Sequence, residues 1–184
     1  MIKDSTTLLY DLFADLLAYP TPAIFQQTEE CLAQLQASHP DAASTLKKFH
    51  HGLQQHALEK MKELYTVTFD MQPVCYPYIG YQLFGESYKR GAFMAQLNEA
   101  YHAVGYSAEQ ELPDHIAVVL CFIGLDPANR QGDFCQSLLN EGLIPALEKM
   151  LKTFGEQSEN PYFGLLSALQ LFLVPTSEKE FDHA

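Results

Sequence analysis

Apolar residues recur along most of this chain at intervals of three and four, which is the spacing of one face of an α-helix. The first example follows Asp4 and Ser5, either of which can cap a helix, and comprises Leu8, Leu9, Leu12, Phe13, Leu16 and Leu17. No stretch alternates apolar and polar residues as a half-buried strand would. The pattern therefore predicts an all-α fold, a helical bundle of about seven to nine helices.

Prolines and glycines divide this pattern into elements. In the first part of the chain we expect one helix to end at Tyr19 and Pro20 and another to begin at Thr21, with Pro22 as its first residue. From Asp41 onward the spacing predicts one long helix or two, with Gly52 as the expected interruption. The first 70 residues therefore read as three or four helices.

In the second part, residues 72–77 are predicted to be irregular, because two prolines deny a helix its donors. Helix is expected to resume near Gly85 or Glu86. The segment Leu112–His115 is predicted to start the next helix, and residues 116–125 are apolar on every side, as in a buried central helix. Two helices are expected at residues 128–140 and 144–154, the second beginning at Ile144 and Pro145, and a last one after Asn160 and Pro161.

With 184 residues the chain suits a single domain, residues 1–184, with a polar tail after residue 175 that we expect to be frayed. Its formal charge is −12, from 23 acidic and 11 basic residues. That charge repels phosphate backbones, so nucleic acid is not the expected partner, and it favours encounter with basic segments. A plain solubility charge is the alternative reading.

The four cysteines are widely spaced and form no metal-binding or disulfide motif, which is typical of free thiols in a reducing compartment. Acidic residues interrupt the apolar ones in residues 1–20 and no small-residue cleavage site follows, so we expect this segment not to be a secretory signal. No apolar run approaches the length of a membrane span. The chain is therefore expected to be cytoplasmic, without insertion into the membrane.

Catalytic and metal-binding patterns are weak. Ser87 lies in Gly85-Glu86-Ser87, but Lys89 stands where a nucleophile elbow needs glycine. The clustered histidines His50, His51 and His56 do not have the spacing that would turn two ligands to one ion. We therefore expect no catalytic residue, no metal and no permanently bound cofactor. The alternative is a small hydrolase that uses His115 with Asp114 or Glu86.

The segment from Tyr65 to Leu125 is richer in tyrosine, proline and charge than core packing requires. Tyrosines beside prolines make rigid amphipathic contacts of the kind that line peptide grooves, although each is also a candidate core residue. Glu86 and Arg90 are four residues apart, a spacing that lets them form an ion pair. The pair is either a plain surface pair or one in which Glu86 presents negative charge to a basic peptide while Arg90 fixes its position. Asp114 suits a helix start, and His115 could serve as a pH-sensitive contact.

Two segments of the chain resemble those of a known protein family. The segments GESYKRGAFM (residues 85–94) and ELPDHI (residues 111–116) resemble those of the NarJ/TorD/DmsD superfamily of redox-enzyme maturation chaperones, and most closely its NarJ branch. Tyr65, Phe69 and residues 73–78 fit the same order, as do residues 142–147 and 160–163. The resemblance covers about residues 5–174.

The resemblance implies a TorD-like helical chaperone and not an enzyme. Its partner would be the catalytic subunit of a molybdoenzyme of the dimethyl-sulfoxide-reductase family, nitrate reductase or a relative. The chaperone would bind the N-terminal segment of that subunit, a twin-arginine signal or its remnant, until the molybdopterin guanine dinucleotide cofactor of the client is inserted. A monomer or a dimer is compatible with this role.

By the same resemblance, Asp114 and His115 are assigned to peptide binding, with the loop around Tyr78 and the turn at Glu86 and Arg90 beside them. We expect these parts to form one groove. The full set of predicted peptide-binding residues is Tyr65, Phe69, Tyr76, Pro77, Tyr78, Tyr81, Glu86, Arg90, Leu112, Pro113, Asp114 and His115.

Overall fold

The fold is built from helices joined by short turns and two longer connections. The structure, a computed structural model, describes residues 2–155 and 159–174. The helices are α1 (Ser5–Leu16), α2 (Ile24–Ser38), α3 (Pro40–Gln55), α4 (Leu58–Tyr65), α5 (Ile79–Phe84), α6 (Tyr88–Ala103), α7 (Ile116–Ile123), α8 (Pro127–Gln131), α9 (Asp133–Ser137), α10 (Ile144–Thr153) and α11 (Pro161–Leu173). Two π-helical turns, Thr66–Asp70 and Leu138–Leu143, continue α4 and join α9 to α10.

Local sequence explains several of these boundaries. The carboxylate of Asp4 accepts the backbone N–H of Thr7 and caps α1, and the side chain of Asn160 accepts that of Tyr162 and caps α11. Pro40 and Pro161 each stand in a first turn, where the missing N–H has no partner to lose. The predicted starts of α1 and α11 and the irregular loop after Gln72 are confirmed.

Other boundaries differ from the predictions by a few residues. The second helix begins at Ile24 rather than at Thr21, and α6 begins at Tyr88, with Ser87 as its cap residue, rather than at Gly85 or Glu86. Pro113 precedes α7 rather than lying in its first turn, because His115 is the cap residue of that helix. Each of these helices begins two to four residues later than the sequence pattern predicts.

Gly52 does not interrupt a helix, and the prediction was wrong for a packing reason. It lies inside α3, and a Cβ atom there would stand 2.6 Å from Cγ of Pro161, the first residue of α11. Helices α3 and α11 form the most extensive helix pair among the described residues, and the glycine lets them approach closely. The interruption falls instead at His56 and Ala57.

The sequence patterns also missed α5 and misread the joint before α10. Helix α5 has only six residues, too few to show a period. Helix α10 begins at Ile144 as predicted, but no break separates it from the preceding element, since the π-helical turn Leu138–Leu143 runs directly into it. A wider π-helical turn is one way for a continuous helix to accommodate a proline that donates no hydrogen bond.

The apolar core has α7 and α11 near its centre. Helix α7 packs on α1, and α11 packs on α3 and α10. Buried side chains include Phe13, Phe49, Phe122 and Tyr162. The predicted all-α fold is confirmed, and no strand occurs among residues 2–155 and 159–174. No helix within those ranges is long and apolar enough to cross a bilayer. The tail after residue 175 lies outside the described residues.

Candidate functional site

Two irregular segments meet side by side at the starts of α5 and α7. The N–H of Ile79 donates to the carbonyl oxygen of Asp114 at 2.7 Å, and the N–H of Ile116 donates to that of Pro77 at 2.9 Å. These bonds pair Tyr78 with His115 as in a short antiparallel bridge. The predicted proximity of the proline-tyrosine loop and the Asp114-His115 segment therefore rests on backbone hydrogen bonds.

Asp114 is fully buried and forms an ion pair with Arg90. Nε of Arg90 donates to Oδ2 of Asp114 at 2.8 Å, and Nη2 donates to Oδ1 at 3.3 Å, so that both carboxylate oxygens are occupied. The pair raises the pKa of Arg90, chiefly through its hydrogen bond to Asp114. The predicted ion pair between Glu86 and Arg90 is wrong, because Arg90 points to Asp114 while Glu86 is exposed.

Gly80 leaves the space in which this ion pair fits. A Cβ atom at Gly80 would stand 2.7 Å from Oδ2 of Asp114, 2.9 Å from Cδ1 of Phe93 and 3.0 Å from Cγ of Arg90. All three distances are shorter than an ordinary carbon contact. The glycine in α5 is thus the reason that α6 can bring its arginine against the buried carboxylate.

Arg90 also holds the aromatic residues of the loop. Its guanidinium lies 5.1 Å from the centre of the Tyr78 ring and 6.0 Å from that of Tyr81, which is within the range of a cation–π contact. The rings of Tyr76 and Tyr81 lie 4.0 Å apart, and the side-chain amide of Gln82 donates to the carbonyl oxygen of Tyr76. The positive charge of Arg90 is therefore used within the chain.

His115 serves as the cap residue of α7. Its Nδ1 accepts the N–H of Ala117 at 3.1 Å, and its ring packs edge-on against Tyr78, with the ring centres 5.4 Å apart. Burial lowers the pKa of His115, although the nearby carboxylates of Glu111 and Asp114 oppose this. The imidazole is thus favoured in its neutral form. It does not share a proton with Asp114, whose oxygens face Arg90, so the arrangement lacks the acid–base pair that a hydrolase would need.

An open cleft of about 500 Å³ lies in front of His115 and Tyr78. We call it the aromatic cleft. It is bounded by the turn after α1, the end of α4 with its π-helical turn, the loop before α5 and the segment before α7. Its lining residues are Ala18, Tyr19, Tyr65, Phe69, Asp70, Pro77, Tyr78, Gln110, Glu111, His115 and Ala117.

The aromatic cleft is negatively charged. Asp70 and Glu111 are its charged lining residues in the described part of the chain, and the Tyr78 hydroxyl donates to Oε1 of Glu111 at 3.0 Å. Burial and then this hydrogen bond raise the pKa of Tyr78 to about 12. The pKa of Tyr65 is raised by burial first and then by Glu111. Burial is the larger cause of both pKa shifts, and the Glu111 carboxylate adds to each of them. The two carboxylates at the cleft favour a cation there.

Five of the twelve predicted peptide-binding residues line the aromatic cleft: Tyr65, Phe69, Pro77, Tyr78 and His115. Asp114 and Arg90 lie behind its wall, where they hold Tyr78 in place. Tyr76, Tyr81, Glu86, Leu112 and Pro113 do not line it. The carbonyl oxygen of Pro113 accepts the Tyr101 hydroxyl and so anchors the segment before α7.

Three prominent lining residues were missed: Tyr19, Asp70 and Glu111. Tyr19 packs edge-on against Tyr65 with the ring centres 5.5 Å apart, although 54% of its surface is exposed. A tyrosine followed by Pro20 was a usable signal, because the same pattern at Tyr76 and Pro77 indicated a groove residue. Asp70 and Glu111 offered none, because their positions depend on how distant segments meet. The described residues hold no cluster of histidine, cysteine, aspartate or glutamate suited to a metal, and the four cysteines are free thiols.

Comparison with known proteins first defines the class of fold. A crystal structure from Archaeoglobus fulgidus, of a protein provisionally described as a redox enzyme maturation protein, superimposes with a TM-score of 0.63. The two sequences are 24% identical, and the match covers 94% of this chain and 96% of that one. The all-helical bundle is thus a known fold. No match was found among curated proteins.

A comparison of the sequence with models of protein families identifies the family of the chain. Residues 32–168, well over half of the chain, match the family model described as nitrate reductase delta subunit. The chain belongs to this family, whose members are chaperones for the maturation of redox enzymes and not enzymes. The resemblance stated from residues 85–94 and 111–116 is confirmed, and the hydrolase alternative is set aside.

Proposed function

We propose that this chain is a cytoplasmic chaperone, acting as one helical domain, for the catalytic subunit of a molybdoenzyme of the nitrate reductase type. It binds the N-terminal segment of that subunit, a twin-arginine signal or its remnant. It holds the subunit until the molybdopterin guanine dinucleotide cofactor has been inserted, and it keeps no cofactor itself. The observation that carries this proposal is the aromatic cleft, in which five residues assigned to peptide binding meet two carboxylates.

The lining of the aromatic cleft suits a segment that is both apolar and basic. The exposed ring of Tyr19 and the half-buried ring of Tyr78 offer flat apolar surface to the side chains of a peptide, and a tyrosine face also attracts a cation. Tyr65 and Phe69 line the cleft but are almost fully buried, so they support its wall. Asp70 and Glu111 add negative charge beside these rings. A volume of about 500 Å³ holds a few side chains rather than a folded domain. These features favour a short segment that carries lysine or arginine among apolar residues.

The charge of the whole chain supports the same partner. A net charge of −12 raises the local concentration of basic segments and speeds their encounter. Once bound, the cation of the peptide would replace water around Asp70 and Glu111. Arg90 forms its ion pair with Asp114, through Nε and Nη2, and not with these carboxylates.

The experiment is calorimetric titration of the folded protein with synthetic N-terminal peptides of molybdoenzyme catalytic subunits. We expect binding that weakens as salt rises from about 0.1 M to about 1 M, over which the Debye length falls from about 10 Å to about 3 Å. Glu111→Gln should weaken binding about tenfold, or by about 1.4 kcal/mol, since the amide still accepts from Tyr78 but carries no charge.

The matched control is Glu109→Gln, which makes the same change of charge two residues away, at an exposed position outside the aromatic cleft. Its affinity should stay within about twofold of the wild type, or about 0.4 kcal/mol. The proposal fails if no peptide gives heat at low salt, or if Glu109→Gln weakens binding as much as Glu111→Gln. In the second case the net charge, and not the aromatic cleft, would account for the affinity.

A further inference from the structure

Helix α6 presents a face that no other helix of residues 2–155 and 159–174 covers. Of its 16 residues only Leu97 and Tyr101 are buried. Phe93, Gln96 and Ala100 succeed one another at intervals of three and four, so they lie on one side of the helix, and Ala103 continues that side. This side forms one wall of a surface groove that lies apart from the aromatic cleft and shares no lining residue with it.

The opposite wall of this groove is formed by α8, α9 and the π-helical turn that follows. Two adjoining depressions of about 220 Å³ and about 330 Å³ share Phe134, which stands between them. We call the two together the α6 groove. From Phe93 to Ala103 its wall spans ten residue steps, or about 15 Å at the helical rise. That length matches roughly three turns of a further helix. The lining residues are Leu83, Phe84, Phe93, Gln96, Ala100, Ala103, Val104, Phe122, Ala128, Asn129, Gly132, Asp133, Phe134, Cys135, Ser137, Leu138, Glu141 and Gly142.

Small residues along both walls let a helix approach closely. Ala100 and Ala103 stand on the α6 side, and Gly132 and Gly142 on the other. A Cβ atom at Gly142 would meet its nearest neighbour, Cδ1 of Leu138, at 3.4 Å, an ordinary contact. Packing within the chain therefore does not require glycine there. The missing side chain adds room to the groove instead.

Exposed apolar surface and charge indicate what would fill the α6 groove. Phe84 is 39% exposed and Phe134 is 42% exposed, and both rings face this region. The charged lining residues among those described are Asp133 and Glu141, both carboxylates. A second copy of the chain would bring another −12 charges to an acidic surface, so charge disfavours it as the occupant.

We propose that the α6 groove binds an amphipathic helix of another protein, about three turns long, with an apolar face and with lysine or arginine along its edge. The apolar face packs on Phe84, Phe93 and Phe134, and the basic edge lies against Asp133 and Glu141. This is helix-in-groove recognition, in which side chains at helical spacing enter the depressions on either side of Phe134. The proposal does not depend on peptide binding in the aromatic cleft.

The test begins with photo-crosslinking in the organism that encodes the chain. The photoreactive residue p-benzoylphenylalanine replaces Gln96 on one wall or Ala128 on the other, both exposed and both lining the groove. The control position is Lys47, exposed on α3. We expect adducts to one protein from positions 96 and 128 and none from position 47, with the attachment point mapped to a helix that has a basic edge.

The mapped segment is then synthesised, and its affinity is measured by fluorescence anisotropy. Ser137→Phe, which fills the groove, and Glu141→Lys, which reverses its charge, should each weaken binding at least tenfold, while circular dichroism shows the fold unchanged. Glu148→Lys makes the same change of net charge at an exposed position of α10 outside the groove and should bind as the wild type does.

Four results would overturn the proposal: no adduct from either groove position, an adduct only to a second copy of this chain, attachment to a segment without a basic helical edge, or affinities that Ser137→Phe and Glu141→Lys leave unchanged.

Discussion

Replacing Arg90 tests how the ion pair holds the wall of the aromatic cleft. Arg90→Met keeps much of the apolar length of the side chain but removes both donors to Asp114. Asp114 is 0% exposed, so its carboxylate must then remain charged without a partner or take up a proton. Breaking a buried pair from one side costs about 3–5 kcal/mol. Keeping an aspartate protonated at about pH 7 costs roughly 4 kcal/mol, so the loss of unfolding free energy in the variant should not exceed about that value.

We therefore expect Arg90→Met to lose about 3–4 kcal/mol of unfolding free energy near neutral pH, measured by urea denaturation. Adding Asp114→Asn to Arg90→Met removes the charge that has no partner, so the double variant should be more stable than Arg90→Met alone.

A loss below about 1 kcal/mol in Arg90→Met would refute this reasoning, since that is the value of an exposed ion pair. So would a double variant that is no more stable than the single one. Either result would mean that water reaches Asp114 and that the pair does not act as a buried support.

Two further predictions concern the same wall. Gly80→Ala should lose about 1–3 kcal/mol of unfolding free energy, measured in urea, because its Cβ would displace Asp114. Gly91→Ala, whose Cβ meets nothing within 4 Å inside α6, should gain about 0.5–1 kcal/mol. Equal effects of the two substitutions would contradict the packing at Gly80. In the folded protein the pKa of His115 is lowered, so below about pH 6.5 the unfolded chain binds a proton at this histidine more readily than the folded chain does. The stability of the wild type should therefore decline as the pH falls. His115→Gln should lose that part of the decline, and a variant at the exposed His51 should keep it; the opposite pattern would mean that His115 is not buried in its neutral form.

The fold could be predicted from the sequence wherever local signals decide. Helical spacing and the caps at Asp4 and Asn160 rest on residues a few positions apart, and the structure confirms them. Gly52 could not be read locally, because its role depends on Pro161, more than 100 positions away. By its low helix propensity alone, a glycine inside a helix is expected to interrupt it. Only the packing of α3 on α11 shows it as a point of close approach.

The candidate site also has parts that the sequence predicts and parts that depend on contacts between distant segments. Tyr78 and His115 were brought into one set by the family resemblance, and backbone hydrogen bonds do pair them. The partner of Arg90 was misassigned, because a helical spacing of four favoured Glu86 over Asp114, which is 24 positions away. Tyr19 was read only as a helix end. The turn that contains it reaches the aromatic cleft because α1 packs on α7.

These positions separate two kinds of acidic residue that look alike in the sequence. Asp114 belongs to the segment that carries the family resemblance, yet its charge is buried and neutralised by Arg90, so it offers little attraction to a ligand. Asp70 and Glu111 line the aromatic cleft, and neither has a cationic partner among the ion pairs of the described residues. If a basic peptide binds there as proposed, Asp70 and Glu111 attract its positive charge. Asp114 affects binding only indirectly, because it fixes the positions of Tyr78 and His115. Replacing Asp114 would then lower stability first, and replacing Glu111 would lower affinity alone.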